Sequence, residues 1–246
     1  NHFLSLKIPL NTFICQLDAQ RNFVWAKTFI ADDDSHILDI SIDEQNNVFL
    51  FGRFKNIVDI DPGDGVVEIG QVDGRRREFI CKLNSIGEFQ WAHATDANWP
   101  VDVNSIDVDL AGSILLTGGF DEAVDFDLGI GVDERTPIGP MDGFATKWDN
   151  QGVALWTKTW GGSDRVAGKA IATTPHGAIA IAGSFWGLID FDPGQGVNTV
   201  EAEINGLLET GYVMYLNEFG VFQWVRTCGG GSSAHSSGVH IDDYDN

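Results

Sequence analysis

Short stretches of the chain alternate hydrophobic and polar residues, which is the pattern of half-buried β-strands. In FICQL, the side chains of Phe13, Cys15 and Leu17 fall on one face of an extended chain. FVWAKTF, ILDISID and NVFLFGRF are further strand-like stretches, and turns containing Asn, Asp and Gly separate them. Because these turn residues adopt conformations that other residues resist, the pattern predicts strands joined by hairpins. No stretch combines a helical period with capping residues, so we expect an all-β fold.

The strand pattern recurs along the chain. Segments similar to FICQLDAQRNFVWAKT begin at Phe13, Phe79, Phe144 and Tyr212. Each contains a tryptophan near its end, and these tryptophans are 66, 65 and 68 residues apart. A second motif recurs with the same period, as VDIDPGDGV from Val58, VDFDLGIGV from Val124 and IDFDPGQGV from Ile189. A unit of about 66 residues, with four strands and an extended loop, matches one blade of a β-propeller.

We therefore predict one β-propeller array of about four blades, of which the fourth is incomplete. The repeat units would span approximately residues 1–66, 67–131, 132–197 and 198–246. Relative to the first unit, the fourth copy lacks counterparts of positions 48–66, a stretch of 19 residues. Two interpretations stay open. The chain is a segment of a longer array, or it is a ring whose open position accepts a strand from another chain at an exposed sheet edge.

Together these motifs resemble the seven-bladed beta-propeller repeat family of bacterial secreted and surface proteins. The resemblance extends over essentially the whole chain, and the best local matches are FVWAKT preceded by FICQLD, and IDFDPGQGV preceded by IAIAGSFWG. The second copy departs from the pattern, because Leu128 stands where the other copies have Pro62 and Pro193. The resemblance implies an extracellular location, a propeller architecture and a binding or structural role rather than catalysis. It does not fix the number of blades.

The repeated loop places two carboxylates close together. Asp59 and Asp61 are two residues apart on an extended strand, so they project from one face about 6.6 Å apart. They repel one another unless something neutralises them, and the glycines that follow let the backbone aim carbonyl groups inward. Such oxygens suit Ca²⁺, which takes about 6–8 of them. The candidate calcium ligands are Asp59, Asp61, Gly63, Asp64, Asp125, Asp127, Gly129, Asp190, Asp192 and Gly194.

Other interpretations of the loops stay open. Asp-Pro-Gly is ordinary turn chemistry in which the aspartate caps its own turn, and charges on an edge strand block unwanted pairing. The acids could also pair with the base that follows each repeated tryptophan by two residues, at Lys27, His93, Lys158 and Arg226. Catalysis is disfavoured, because an active site needs one pair of carboxyl groups in unequal environments and this pair occurs three times. We expect no enzyme.

Composition restricts the partners. The 15 Lys and Arg residues stand against 36 Asp and Glu residues, which gives a formal charge of −21 and a pI of about 4.3. This balance argues against nucleic acid and anionic membrane surfaces. No apolar run approaches the ~20 residues of a membrane-spanning helix. Three cysteines in a chain of this length do not imply a disulfide framework.

The tryptophans offer a second candidate site. The repeated tryptophans are expected in the blade core, although an exposed ring could stack on a sugar. Three tryptophans outside the repeated position are candidate ligand-binding residues of a lectin-like propeller: Trp99, Trp160 and Trp186. The preferred hypothesis is an extracellular structural module with Ca²⁺ at its loops. It would contact other protein subunits or surface glycans and assemble into a surface layer or fibre through strand or edge contacts.

Overall fold

The computed structural model describes residues 12–31, 33–96, 101–128, 131–174, 176–229 and 232–241. In these ranges the chain forms twenty β-strands and one helical turn, α1 (Glu203–Gly206). The all-β prediction is confirmed. Across the same ranges, no helix has the length and hydropathy needed to cross a membrane. The chain divides into two compact units, one with the described residues of Asn1–Ile40 and Gln45–Trp99, the other with those of Ser41–Glu44 and Pro100–Asn246.

The first unit contains two antiparallel sheets of four strands each. One sheet has the order β1 (Thr12–Leu17), β2 (Phe23–Ala31), β5 (Ile57–Asp59), β6 (Glu68–Gly70). The other has the order β3 (Ser35–Ile42), β4 (Val48–Lys55), β7 (Arg76–Leu83), β8 (Phe89–Ala94). The last residues of β3, Ser41 and Ile42, group with the second unit.

The second unit contains three antiparallel sheets. The largest has the order β18 (Thr199–Glu201), β17 (Leu188–Asp190), β14 (Ala154–Gly162), β13 (Asp142–Trp148), β10 (Ile114–Phe120), β9 (Val101–Val108). A four-stranded sheet has the order β15 (Val166–Thr173), β16 (Ile179–Phe185), β19 (Thr210–Leu216), β20 (Phe222–Cys228). The third is a two-stranded ribbon of β11 (Val124–Asp125) and β12 (Glu134–Arg135).

The same meander of four strands occurs three times, as β3-β4-β7-β8, β9-β10-β13-β14 and β15-β16-β19-β20. Between the second and third strands of each meander lies a short hairpin, which is β5–β6, β11–β12 or β17–β18. The four-strand unit predicted from the sequence is confirmed, and the acidic motif, expected as an extended loop, lies within this hairpin. Strands β1 and β2 correspond to the third and fourth strands of a further meander. None of the described sheets closes on itself.

Local side chains explain the turns. In the turn between β1 and β2, Oδ1 of Asp18 accepts hydrogen bonds from the backbone N–H groups of Gln20 and Asn22, at 2.9 and 2.8 Å. The corresponding turns use Asn84, Asp149 and Asn217 as acceptors in the same way. The residue three positions after the acceptor has a positive φ in every copy, at Arg21, Gly87, Gly152 and Gly220. These contacts form within five residues, so a sequence pattern can predict them.

Hydrophobic cores lie between consecutive sheets. In the first unit, Phe29 of β2 packs in one cluster with Leu50 of β4 and Phe79 of β7. In the second unit, Trp160 of β14 and Tyr212 of β19 belong to one cluster that joins the six-stranded sheet to the four-stranded one. Because the strands alternate, each sheet contributes one side chain in two to such a core.

Candidate functional site

The first acid of each repeated motif closes its own loop. Oδ1 of Asp59 accepts hydrogen bonds from the N–H groups of Asp61, at 3.2 Å, and Val67, at 2.9 Å. Asp125 and Asp190 accept in the same way from the residues two and eight positions later, at 2.8–3.1 Å. One carboxylate oxygen therefore ties both ends of the loop together in all three copies.

The second acid of the motif holds the glycine turn. Oδ1 of Asp61 accepts the N–H of Gly63 at 2.8 Å, and Oδ1 of Asp192 accepts the N–H of Gly194 at 2.8 Å. A Cβ atom would overlap the carboxylate of the second acid at the later glycine of each motif, which is Gly65, Gly131 or Gly196. Glycine therefore lets the backbone approach this carboxylate closely, and a side chain there would displace the carboxylate. Asp64, present in the first copy alone, is exposed.

The residue between the two acids is a core residue. Ile60, Phe126 and Phe191 are each 0% exposed. The ring of Phe126 lies 4.9 Å from that of Phe144, and the ring of Phe191 lies 4.8 Å from that of Tyr212. Since neighbouring residues of an extended chain point in opposite directions, the two acids face away from this core residue. This core residue is not among the predicted site residues, although every copy of the motif has a hydrophobic residue there.

The contacts of the loops match a self-capped turn more closely than a calcium site. Oδ1 of each first acid is already engaged by two N–H donors, and two carboxylates do not by themselves supply the six to eight oxygens that Ca²⁺ takes. Over the described residues, no three or more His, Cys, Asp and Glu side chains are arranged to hold a metal ion. Calcium binding stays a prediction. One of its proposed ligands, Gly129, lies outside the described residues.

Two of the bases that could pair with the acids lie beside their own tryptophans. The ring centroids of His93 and Trp91 are 5.1 Å apart, and the guanidinium of Arg226 is 5.8 Å from the ring centroid of Trp224. Such placement is typical of bases that extend along an aromatic surface while their charge stays in water.

The repeated tryptophans lie at the margins of the cores. Trp25 and Trp156 are partly buried and pack against the clusters of the first and second unit, respectively. Trp224 is 39% exposed and stacks on Tyr215, with ring centroids 5.4 Å apart and planes 7° from parallel.

The three tryptophans of the lectin hypothesis differ from one another. Trp160 is 1% exposed, so a sugar could not stack on it without opening the core. Trp186 is half-buried and lines a cavity of about 380 Å³ in the second unit. Side chains of both charge signs line the same cavity, among them Arg165, Lys169 and Glu209. Trp99 lies outside the described residues.

Asp142 lies outside the repeated motif and has a raised pKa. Asp142, at the start of β13, is 1% exposed, and this burial raises the pKa of its carboxyl group. Its two oxygens accept the N–H groups of Ile138 and Gly139 at 2.8 and 3.1 Å. These contacts fasten the loop that precedes β13, which is a structural role.

Residues from three consecutive repeats meet at Asp107. Its Oδ1 accepts a hydrogen bond from Oγ of Ser41 at 3.0 Å, and its Oδ2 accepts from the N–H and Oγ1 of Thr173 at 2.7 and 3.1 Å. Each partner is 66 residues from Asp107 along the sequence. His240, which occupies the equivalent position in the fourth copy, lines a small cavity with Asp107 and Thr173. Ser41 and Asp107 occupy equivalent positions of their repeats, whereas Thr173 lies one residue after Ala172, the equivalent of Asp107.

Comparison with models of known protein families finds no match to the chain, and comparison with curated proteins finds none either. The resemblance to the beta-propeller repeat family therefore stays an expectation from the motifs.

Proposed function

We propose that the chain is a structural and interaction module whose repeats stack as blades of a propeller. The observation that carries this proposal is the contact of Asp107 with Ser41 and Thr173. Residues of consecutive first strands come within hydrogen-bond distance when those strands converge. This is how the inner strands of propeller blades surround a central axis.

The acidic hairpins have a mechanical role in this proposal. Each hairpin inserts Ile60, Phe126 or Phe191 into a core, and the flanking acids hold the hairpin in shape. The first strand of the hairpin also pairs with the end of a fourth strand from the preceding repeat, as Ile30 with Asp59 and Gly161 with Asp190. The motif is thus used to fasten one repeat to the next. An extracellular location and protein partners belong to the proposal through the motif resemblance.

Small-angle X-ray scattering tests the blade arrangement. A compact stack of 246 residues should have a radius of gyration of about 18 Å. A clearly larger radius with an elongated distance distribution would contradict the propeller, because the sheets would then form an open row. Asp107→Ala should raise the radius or lower the melting temperature, whereas Asp64→Ala, in an exposed loop, should change neither.

A second candidate function is carbohydrate binding, and the cavity beside Trp186 favours it. An aromatic face next to hydrogen-bonding side chains of both signs suits a polyhydroxylated ligand. A glycan array with the chain, followed by calorimetry on any hit, tests this function. Trp186→Ala should abolish binding, and Trp224→Ala is the control, since Trp224 lies away from this cavity's lining. An array without hits would remove this candidate.

A further inference from the structure

Strand β1 presents the same apolar face as the other third strands, but this face is exposed. Phe13 is 69% exposed and Leu17 is 53% exposed. The aromatic residues equivalent to Phe13 are almost completely buried, with exposed fractions of 3% for Phe79, 0% for Phe144 and 0% for Tyr212. The residues that cover the equivalent ring in the complete repeats therefore show what is missing beside Phe13.

In a complete repeat, the ring lies across a glycine of the second strand. Gly52 pairs with Phe79, Gly118 with Phe144 and Gly183 with Tyr212. A Cβ atom on Gly52 would lie 2.6 Å from the ring of Phe79, and on Gly118 or Gly183 it would lie 2.8 Å from the facing ring. These distances are shorter than any van der Waals contact allows, so a side chain at this position would displace the ring.

Two further residues of the same segment complete the cover. The phenylalanine two residues after the glycine lies 6.1–6.4 Å from the third-strand ring, in the pairs Phe54–Phe79, Phe120–Phe144 and Phe185–Tyr212. The residue between the two acids follows the glycine by eight positions. It lies 4.8–4.9 Å from the ring in the two repeats where it is aromatic. One continuous segment, from the second strand to the hairpin, therefore buries the ring.

At β1, no strand of the described residues takes the place of this segment. The sheet begins with β1, which pairs with β2, so within the described part of the chain the other edge of β1 has no strand beside it. The segments of the required type, in β4, β10 and β16, are each paired with a third strand of their own repeat. A second copy would have to give up one of its own strands to fill the edge, so a separate partner strand is favoured.

We propose that the edge of β1 accepts a partner strand of the repeat's second-strand type. The partner carries a glycine opposite Phe13, a phenylalanine two residues later and an apolar residue between two aspartates. The backbone of this strand extends the sheet, and its hairpin residue covers Phe13 and Cys15. This inference rests on the proposed interaction role and specifies the partner of that role. Strand addition of this kind takes its affinity from backbone hydrogen bonds and its specificity from side-chain pockets.

A synthetic peptide of residues 177–201 serves as the probe, because it contains the second strand and the hairpin of a complete repeat. Cys15 reports on docking, since it is exposed while its equivalent Cys81 is buried with its thiol 4.0 Å from the carbonyl of Ile60. Cys228, at the end of β20, is also exposed and serves as the internal reference for labelling. Burial raises the pKa of the Cys81 thiol, so Cys81 should stay unlabelled throughout.

With saturating peptide, maleimide labelling of Cys15 should slow about tenfold or more, as expected when a thiol becomes buried, and labelling of Cys228 should not change. The matched control peptide carries Gly183→Val, which should not protect Cys15. Phe13→Asp in the chain should also abolish protection. Equal protection by both peptides, or protection by neither, would overturn the proposal.

Two other outcomes would show that something else covers the edge of β1, and either one would contradict the proposed partner strand. Protection of Cys15 in a monomer without peptide means that another part of this chain covers β1. Protection in a dimer, detected by sedimentation velocity, means that a second copy does. Failure of the blade arrangement is distinguishable, because the scattering test depends on all the repeats, whereas the labelling test depends on β1 alone.

Discussion

Strands β1 and β13 have the same place in their repeats and the same alternation, yet Phe13 is 69% exposed and Phe144 is 0% exposed. Both strands pair with the following strand through a hairpin that has a bulge at the same place. They differ on the other side, where β13 pairs with β10 and β1 has no such neighbour in the described part of the chain. The alternation of a strand thus identifies its apolar face, and the second strand with its hairpin determines whether that face is covered.

The largest effect on stability is expected from removing the aromatic ring of Phe144, and removal of the ring of Phe13 is the comparison. Phe144→Ala should destabilise the chain by about 3–5 kcal/mol, because it leaves a cavity in a closed core. Phe13→Ala should change the stability by about 0.5 kcal/mol or less, since the ring is already in water. Urea unfolding followed by tryptophan fluorescence measures both. Similar losses from the two variants would show that Phe13 is covered in solution.

A smaller effect is expected from the acids that hold the hairpins. Asp190→Ala removes the acceptor for the N–H groups of Asp192 and Asn198 and should cost about 1–2 kcal/mol. Asp190→Asn keeps a carbonyl oxygen at the same place, so its loss should be a few tenths of a kcal/mol. Thermal unfolding of the two variants gives the comparison. A loss from Asn as large as that from Ala would mean that charge, rather than the hydrogen bonds, is what matters.

The same variants decide between turn chemistry and calcium. If the loops are self-capped turns, the melting temperature should be equal with chelator and with added Ca²⁺, since only a ligand that binds the folded state raises it. A melting temperature that rises with Ca²⁺ in the parent chain but not in Asp190→Asn would establish the calcium site and reject the turn interpretation.

The sequence predicts the local features of the fold well. The turns around Asp18 and its equivalents depend on contacts within five residues, and the strands depend on alternation within eight. The burial of Ile60 and the exposure of Phe13 are different. Ile60 is buried by other parts of the chain, and Phe13 is exposed because no described strand lies beside the outer edge of β1. Two acids beside a glycine look alike as a metal site and as a capped turn. The hydrogen-bond partners of Asp59 favour the capped turn, and the sequence alone does not show these partners.

A modest gain in stability is expected at the turn after β1. Arg21 has a φ of 66°, where the equivalent turns have glycine. Because a side chain disfavours this backbone conformation, Arg21→Gly should stabilise the chain by about 0.5 kcal/mol after the added entropy of the unfolded state is counted. The reverse control is Gly112→Ala, at a φ of 78° with its nearest neighbour 3.4 Å from the added Cβ, which should destabilise by about 1 kcal/mol. A loss from Arg21→Gly would show that the arginine side chain makes a stabilising contact.

The smallest effect concerns the start of β7, the covered counterpart of β1. The carboxylate of Asp73 accepts hydrogen bonds from Nη1 and Nη2 of Arg77 at 3.1 and 2.7 Å, and these bonds lower the pKa of Asp73 from 3.8 to about 2. Since the folded pKa lies below the unfolded one, the contact stabilises the fold above pH 3.8 and is lost as the pH falls towards about 2. Asp73→Asn should therefore flatten the dependence of stability on pH in this acid window, whereas Asp64→Asn, with the same change in charge, should not. An NMR titration of the Asp73 carboxyl with a midpoint near 3.8 would mean that the pair with Arg77 does not form in solution. The start of β7 would then depend on its other contacts, among them its pairing with β4.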